Sequence, residues 1–107
     1  MLYNRDMAEI DIQELLWEPE INEAHIWERH HRTRAEVEEV CYGNPEHIKV
    51  EDAKEGRIRV IGPRQDGRLL VIILSPQGSG VFYPVTAKPP KRQELRRYDA
   101  WRTEKEQ

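Results

Sequence analysis

The spacing of apolar residues changes twice along the chain and predicts an α+β fold. Apolar side chains recur every three or four residues over 19–31 and 34–42, which predicts two helices with a short connection. The pattern then alternates as in strands, and a helical spacing returns over 91–103. We therefore expect two N-terminal helices, an antiparallel sheet of about four strands and a C-terminal helix, with helices covering the sheet. The expected strands are a short one at 13–17 and a meander at 47–51, 57–61, 69–74 and 81–86.

Local signals support several of these boundaries. Thr33 and Glu36 have the spacing of a capping box at the start of the second helix. The Asp-Gly pair at 66–67 is typical of a β-hairpin turn. Residues 1–12 show no clear apolar period, so we expect a flexible leader followed by a single domain over 13–107.

The composition indicates a small core under a highly charged surface. Of 107 residues, 37% are hydrophobic and 35% are charged, so one domain is expected. No apolar run has the length of a membrane span, and no signal-peptide pattern opens the chain. The single cysteine, Cys41, cannot form an intrachain disulfide or build a zinc site alone, and its helical position indicates a core residue. We expect a soluble cytoplasmic protein.

The net charge of −3 conceals a strong asymmetry between the two halves of the chain. Residues 1–56 carry a net charge of −9, and residues 57–107 carry +6. One interpretation is two solvated faces of opposite sign that partly pair with each other. The other is a basic surface that binds a polyanion or an acidic partner.

Two histidines and two cations are candidates for acid–base chemistry on a phosphate. His30 and His31 end the first helix, where the helix dipole favours their protonated form. Lys88 follows the last strand and Arg92 opens the next helix, so the two could hold one phosphate near a helix N-terminus. The alternative is that the histidines only cap helix carbonyls or pack in the core. We expect Glu94 to pair with a neighbouring cation rather than to act as a base.

Further basic and aromatic residues are candidate contacts to a nucleic-acid backbone and its bases. Arg57 and Arg59 share one face of a strand, about 7 Å apart, and could follow two phosphates of a polyanion or meet an acidic protein segment. Arg64 lies at the approach to the hairpin, where we expect an exposed side chain. Arg96 would belong to a basic helix face, solvated in the simpler interpretation. Tyr98 could stack on a base, although its spacing also fits a core residue.

The order of motifs resembles the BrnT-like toxins of bacterial type II toxin–antitoxin pairs. The matching pieces span most of the chain, and their shared order and spacing carry the resemblance. They are LWEP at 16–19, IWERH at 26–30, TRAEVEEV at 33–40, RIRVIG at 57–62, DGRLLV at 66–71, VTAK at 85–88 and RQELRRY at 92–98. Toxins of this family are similar in fold to the RelE-type ribonucleases.

The resemblance implies a metal-independent endoribonuclease that cleaves RNA by 2′-hydroxyl attack. It favours His30 over His31 for proton transfer, with Lys88 and Arg92 completing the catalytic set. The implied partners are the RNA substrate and a cognate antitoxin, a small DNA-binding protein, in a homodimer or a toxin–antitoxin hetero-oligomer. No membrane, metal or other cofactor is expected.

The sequence departs from the family pattern at the candidate site. His31 stands where the family usually has glycine, and Lys88 where it usually has arginine. Pro89 and Pro90 follow Lys88, and Pro84 lies within the last strand. A lysine lacks the bidentate geometry of a guanidinium toward phosphate. These departures favour a second hypothesis, a catalytically inactive binding module of the same fold that acts through an antitoxin or as a co-repressor.

Overall fold

The computed structural model describes residues 10–106, which form three helices, shorter helical turns and one five-stranded sheet. Within this range no helix is long and apolar enough to cross a membrane. The strands are β1 (Glu14–Leu15), β2 (Lys49–Asp52), β3 (Ile58–Pro63), β4 (Leu69–Gly78) and β5 (Val81–Lys88). The helices are α1 (Ala24–His30), preceded by a π-helical turn (Pro19–Glu23), α2 (Arg34–Cys41) and α3 (Arg92–Lys105), and short 3₁₀ turns cover Pro45–His47 and Lys54–Gly56.

The sheet confirms the predicted α+β architecture and adds one parallel pairing. Its strand order is β1-β5-β4-β3-β2, and β2 to β5 form the expected antiparallel meander. β1 pairs in parallel with the start of β5. The predicted capping box is present, since the Thr33 side chain accepts from the Glu36 amide and the Glu36 carboxylate accepts from the Thr33 amide. Of the expected leader, residues 1–9 lie outside the described residues, and Ile10 and Ile12 pack against the core.

The two faces of the sheet are covered unequally. One face packs against α1 and α2 and carries most of the core, including Ile26, Val37 and Ile72. The other face is covered only in part, where Tyr98 and Trp101 of α3 lie on Ile61, Val71 and Leu69. The remainder of this second face is not covered by α3, and it is where the candidate site forms.

His31 ends α1 in a left-handed backbone conformation, with φ of 54° and ψ of 37°. Glycine adopts this conformation without the Cβ clash that other residues incur, which gives a physical reason for glycine at this position. The His31 ring packs edge-on against Trp27, with centroids 5.1 Å apart.

We expect His31→Gly to be more stable than His31→Ala by about 1 kcal/mol, because both lose the ring and only glycine relieves the backbone strain. Urea unfolding of the two variants measures the difference. Equal stabilities would contradict the assignment of strain to His31.

Candidate functional site

The open part of the second sheet face presents two rows of side chains. In the sheet register Arg59 pairs with Ile73, and Ile73 pairs with Thr86, so the three form one row. Neighbouring strands lie about 4.8 Å apart, which makes this row about 10 Å wide. In the next row Ser75 pairs with Tyr83, and Arg57 precedes the Ile58–Leu74 pair. All these sheet-face side chains are only partly buried.

His30 lies at the end of α1 on the β5 side of this surface. The partly buried imidazole has its pKa lowered from 6.5, chiefly by desolvation and then by the positive charges of Arg29 and Lys88. This direction is opposite to the effect expected from the helix dipole, because burial and nearby cations disfavour the protonated imidazole. A lowered pKa favours the neutral imidazole at pH 7, the form that can accept a proton.

The segment after His30 is held by an ion-pair chain. The Arg32 Nε donates to the His30 carbonyl oxygen at 3.2 Å, and its Nη1 donates to Glu36 at 3.2 Å. Glu36 also accepts from Arg64, and its pKa is lowered by the Thr33 amide and Arg64, against the opposing effect of desolvation. These ion pairs and hydrogen bonds fix the α1–α2 connection and thereby the position of His30.

Four cations near the start of α3 have no carboxylate within ion-pair distance among the described residues. They are Lys88, Lys91, Arg92 and Arg96. Lys88 extends the sheet face by one row, since it pairs with Val71. Arg92 is exposed at the first residue of α3, next to the free amides of the helix N-terminus. A phosphate near Lys88 and Arg92 would meet positive charge that no carboxylate in the described part of the chain neutralises.

Arg59 is held in place by two carboxylates. Its Nη1 donates to Glu51 at 3.1 Å, and its Nε lies 3.6 Å from Glu94. Glu94 thus faces a cation, as predicted, and it also accepts from the Lys91 amide at 2.7 Å. The Arg59 Nε is buried and has no hydrogen-bond partner. Arg59 therefore contributes an oriented guanidinium whose charge is largely compensated.

Glu51 is the centre of this ion-pair cluster. It contacts Lys49 and Arg97 as well as Arg59, with N–O distances from 2.8 to 3.1 Å. The hydrogen bond from Arg97 is the largest influence opposing desolvation, and together with Lys49 and Arg59 it lowers the pKa of Glu51 to about 2. This role of Glu51 is not visible in the sequence, because it depends on the strand register that places Glu51 opposite Arg59.

Two residues that the sequence offered as RNA contacts, Arg64 and Tyr98, do not lie on the open sheet face. Arg64 was expected to be exposed, but its side chain is only 12% exposed and is bound to Glu36 and Asp66. Tyr98 is buried with 7% exposure, and its hydroxyl donates to the His47 carbonyl at 2.6 Å. Tyr98 is thus a core residue with no ring face free for a base.

An open cavity of about 560 Å³ adjoins the second row, between the sheet and the first helical segment. Arg57 lines it and has one weak partner, Glu55, at 3.5 Å. Tyr83 also lines it, and its hydroxyl donates to Glu18 at 2.6 Å. The other lining residues had no predicted role, and they include Ile21, His25, Ser75 and Val85. They meet at this cavity only because α1 lies along β5, which the sequence does not reveal.

The fold of this chain is similar to that of a toxin of known structure. The chain is similar to the crystal structure of the Brucella abortus ribonuclease toxin BrnT, with a TM-score of 0.58 and 18% sequence identity. The match covers 74% of this chain and 97% of that chain. No protein-family model and no curated protein matches the sequence. The likeness shows the fold, while the chemistry rests on the geometry of this chain.

Proposed function

We propose that this chain, which has the fold of the BrnT toxin, is the toxin of a type II toxin–antitoxin pair and cleaves RNA without a metal ion. The observation that carries the proposal is the position of His30 at the edge of an open sheet face, close enough to Lys88 for the lysine charge to lower the pKa of the imidazole, while Lys88 has no ion pair among residues 10–106. A neutral imidazole next to a cation supplies a base for the 2′-hydroxyl and a charge for the phosphate.

Each reacting group of the cleavage has a candidate on this surface. His30 takes the 2′-hydroxyl proton while the 2′-oxygen bonds to phosphorus. Lys88 and Arg92 stabilise the negative charge that develops on the phosphate oxygens. The bond from phosphorus to the 5′-oxygen breaks, and the Lys88 ammonium donates a proton to that oxygen. The products are a 2′,3′-cyclic phosphate and a 5′-hydroxyl.

The remaining basic residues serve binding rather than proton transfer. Arg57 and Arg59 lie two residues apart on the same sheet face, where they contact phosphates that flank the cleaved bond. Arg96, which has no ion pair within residues 10–106, extends the positive charge along α3. A DNA-binding antitoxin with an acidic segment covers the same cations and blocks RNA.

Toxicity tests the proposal in cells. Expression of the chain alone in bacteria should stop growth and degrade RNA, and Lys88→Ala should relieve both effects. Lys91→Ala is the matched control, because the cap at Lys91 uses the backbone amide rather than the side chain. Normal growth and intact RNA, despite soluble expression, would contradict the nuclease and favour the inactive binding module.

The pH dependence of cleavage is expected to report the depressed pKa of His30. Because only neutral His30 accepts a proton, kcat/KM should fall tenfold per pH unit on the acidic side, with a midpoint below 6.5. Initial rates on a single-stranded oligonucleotide between pH 4.5 and 8, values chosen about the ordinary histidine pKa, measure this profile. A midpoint above 6.5 would show that His30 is not the base.

A further inference from the structure

The cavity beside Tyr83 has the shape and chemistry of a site for a nucleobase. Tyr83 is partly buried, and the hydrogen bond from its hydroxyl to Glu18 fixes the orientation of the ring. Val85 and the exposed Ile21 add apolar surface to the same cavity. An unpaired RNA base stacks on surfaces of this kind.

The two walls of the cavity differ in hydrogen-bonding character. The helical wall carries the exposed carboxylates of Glu20 and Glu28, which only accept hydrogen bonds. The sheet wall carries Arg57, which only donates. Among residues 10–106, the only carboxylate within 4.0 Å of the Arg57 guanidinium is that of Glu55. The Glu55 side chain is 74% exposed, so Arg57 can exchange this contact for a contact with a ligand.

Among the bases, guanine fits this division of donors and acceptors. It presents two neighbouring N–H donors on its Watson–Crick edge, which a carboxylate accepts. It presents the O6 and N7 acceptors toward its other edge, which an arginine binds as a bidentate pair. Adenine lacks the O6 acceptor and the N1–H donor, and it would leave part of the carboxylate and guanidinium groups unpaired.

The cavity lies next to the proposed cleavage site. His25, which lines the cavity, and His30 are both on α1, five residues and about 7.5 Å of helix apart. Tyr83 and Lys88 are five residues apart on β5, which is about 17 Å of strand. A base in the cavity would thus belong to a nucleotide near the cleaved phosphate along the RNA rather than to the cleaved phosphate itself.

We propose that this cavity is a guanine subsite that sets the sequence preference of the enzyme. The inference rests on the proposed ribonuclease function, which supplies RNA as the ligand. Guanine is held by stacking on Tyr83, by Glu20 or Glu28 on its donor edge and by Arg57 on its acceptor edge.

Oligonucleotides that differ at one base test the subsite. The probes are fluorescent adenine-only RNA, the same RNA with one central guanine, and the same RNA with inosine, which lacks the 2-amino group. The His30→Ala chain is used for binding and the unaltered chain for cleavage. We expect about tenfold tighter binding and preferred cleavage of the guanine probe, with inosine intermediate, because one bidentate base contact contributes about 1–3 kcal/mol.

Carboxylate variants identify the cause of the preference. Glu20→Gln/Glu28→Gln should reduce the preference for guanine to less than about threefold while adenine-only RNA binds at least as well. Glu104→Gln, a change at an exposed residue of α3, should leave the preference unchanged. Equal binding of all probes, or a guanine preference that survives the double substitution, would overturn the subsite. Guanine-selective binding without any cleavage would support the subsite and contradict only the ribonuclease.

Discussion

Replacement of His30 by alanine is expected to lower the rate of RNA cleavage by about 10²–10⁴-fold, the usual contribution of a positioned acid–base group. The loss should appear in kcat rather than in KM, because the phosphate contacts proposed for Lys88 and Arg92 do not involve His30. Initial rates over a range of RNA concentrations separate the two constants. In cells, the same substitution should allow growth.

His31 provides the matched control for this prediction. It is the adjacent histidine, it is exposed, and its ring contacts Trp27 rather than the sheet face. His31→Gly should retain cleavage within about threefold, well below the contribution of a catalytic acid or base. If His31→Gly and His30→Ala lost activity equally, or if His30→Ala stayed active, the assignment of the base would fail.

Replacement of Glu51 by glutamine is expected to lower the free energy of unfolding at pH 7 by about 2–3 kcal/mol. The neutral amide leaves Lys49, Arg59 and Arg97 facing one another without the charge that binds them. Urea unfolding followed by tryptophan fluorescence measures the loss. Because Arg59 then loses its main anchor, RNA binding should weaken as well.

The stabilisation from Glu51 should depend on pH in one direction. Its folded-state pKa of about 2 lies below the ordinary glutamate value of 4.5, so the contribution is complete above 4.5 and is lost as the pH falls toward 2. The stabilities of Glu51→Gln and the unaltered chain should therefore converge in acid. Glu55→Gln, at an exposed carboxylate with one weak partner, should cost less than about 0.5 kcal/mol. A similar loss in both variants would contradict the central role of Glu51.

The fold was predictable because its signals are local. The capping box at Thr33 and the hairpin at Asp66-Gly67 each depend on a few neighbouring residues. The longer helices and strands were predictable from the spacing of apolar residues within each element. The parallel pairing of β1 was not predictable, since it joins Glu14–Leu15 to residues 81–82, far along the chain.

The site was predictable only in part because it depends on tertiary contacts. A helix period favoured a core position for Tyr98, and the structure confirms that alternative over an RNA contact. Arg64 looked exposed near a turn, but α2 brings Glu36 to it. The pKa of His30 is lowered chiefly by burial and then by the charges of Arg29 and Lys88, a direction opposite to the one expected from the helix dipole, and both the burial and the approach of Lys88, 58 positions later, are tertiary effects. No local pattern contains such information.

The ends of the cleaved RNA provide the most direct test of the account. Purified chain is incubated with single-stranded RNA in excess EDTA, and mass spectrometry identifies the products. The account predicts cleavage in EDTA that leaves a 2′,3′-cyclic phosphate and a 5′-hydroxyl, with His30→Ala giving no product over the same time. Intact RNA, or fragments that carry a 5′-phosphate and a 3′-hydroxyl, would contradict it.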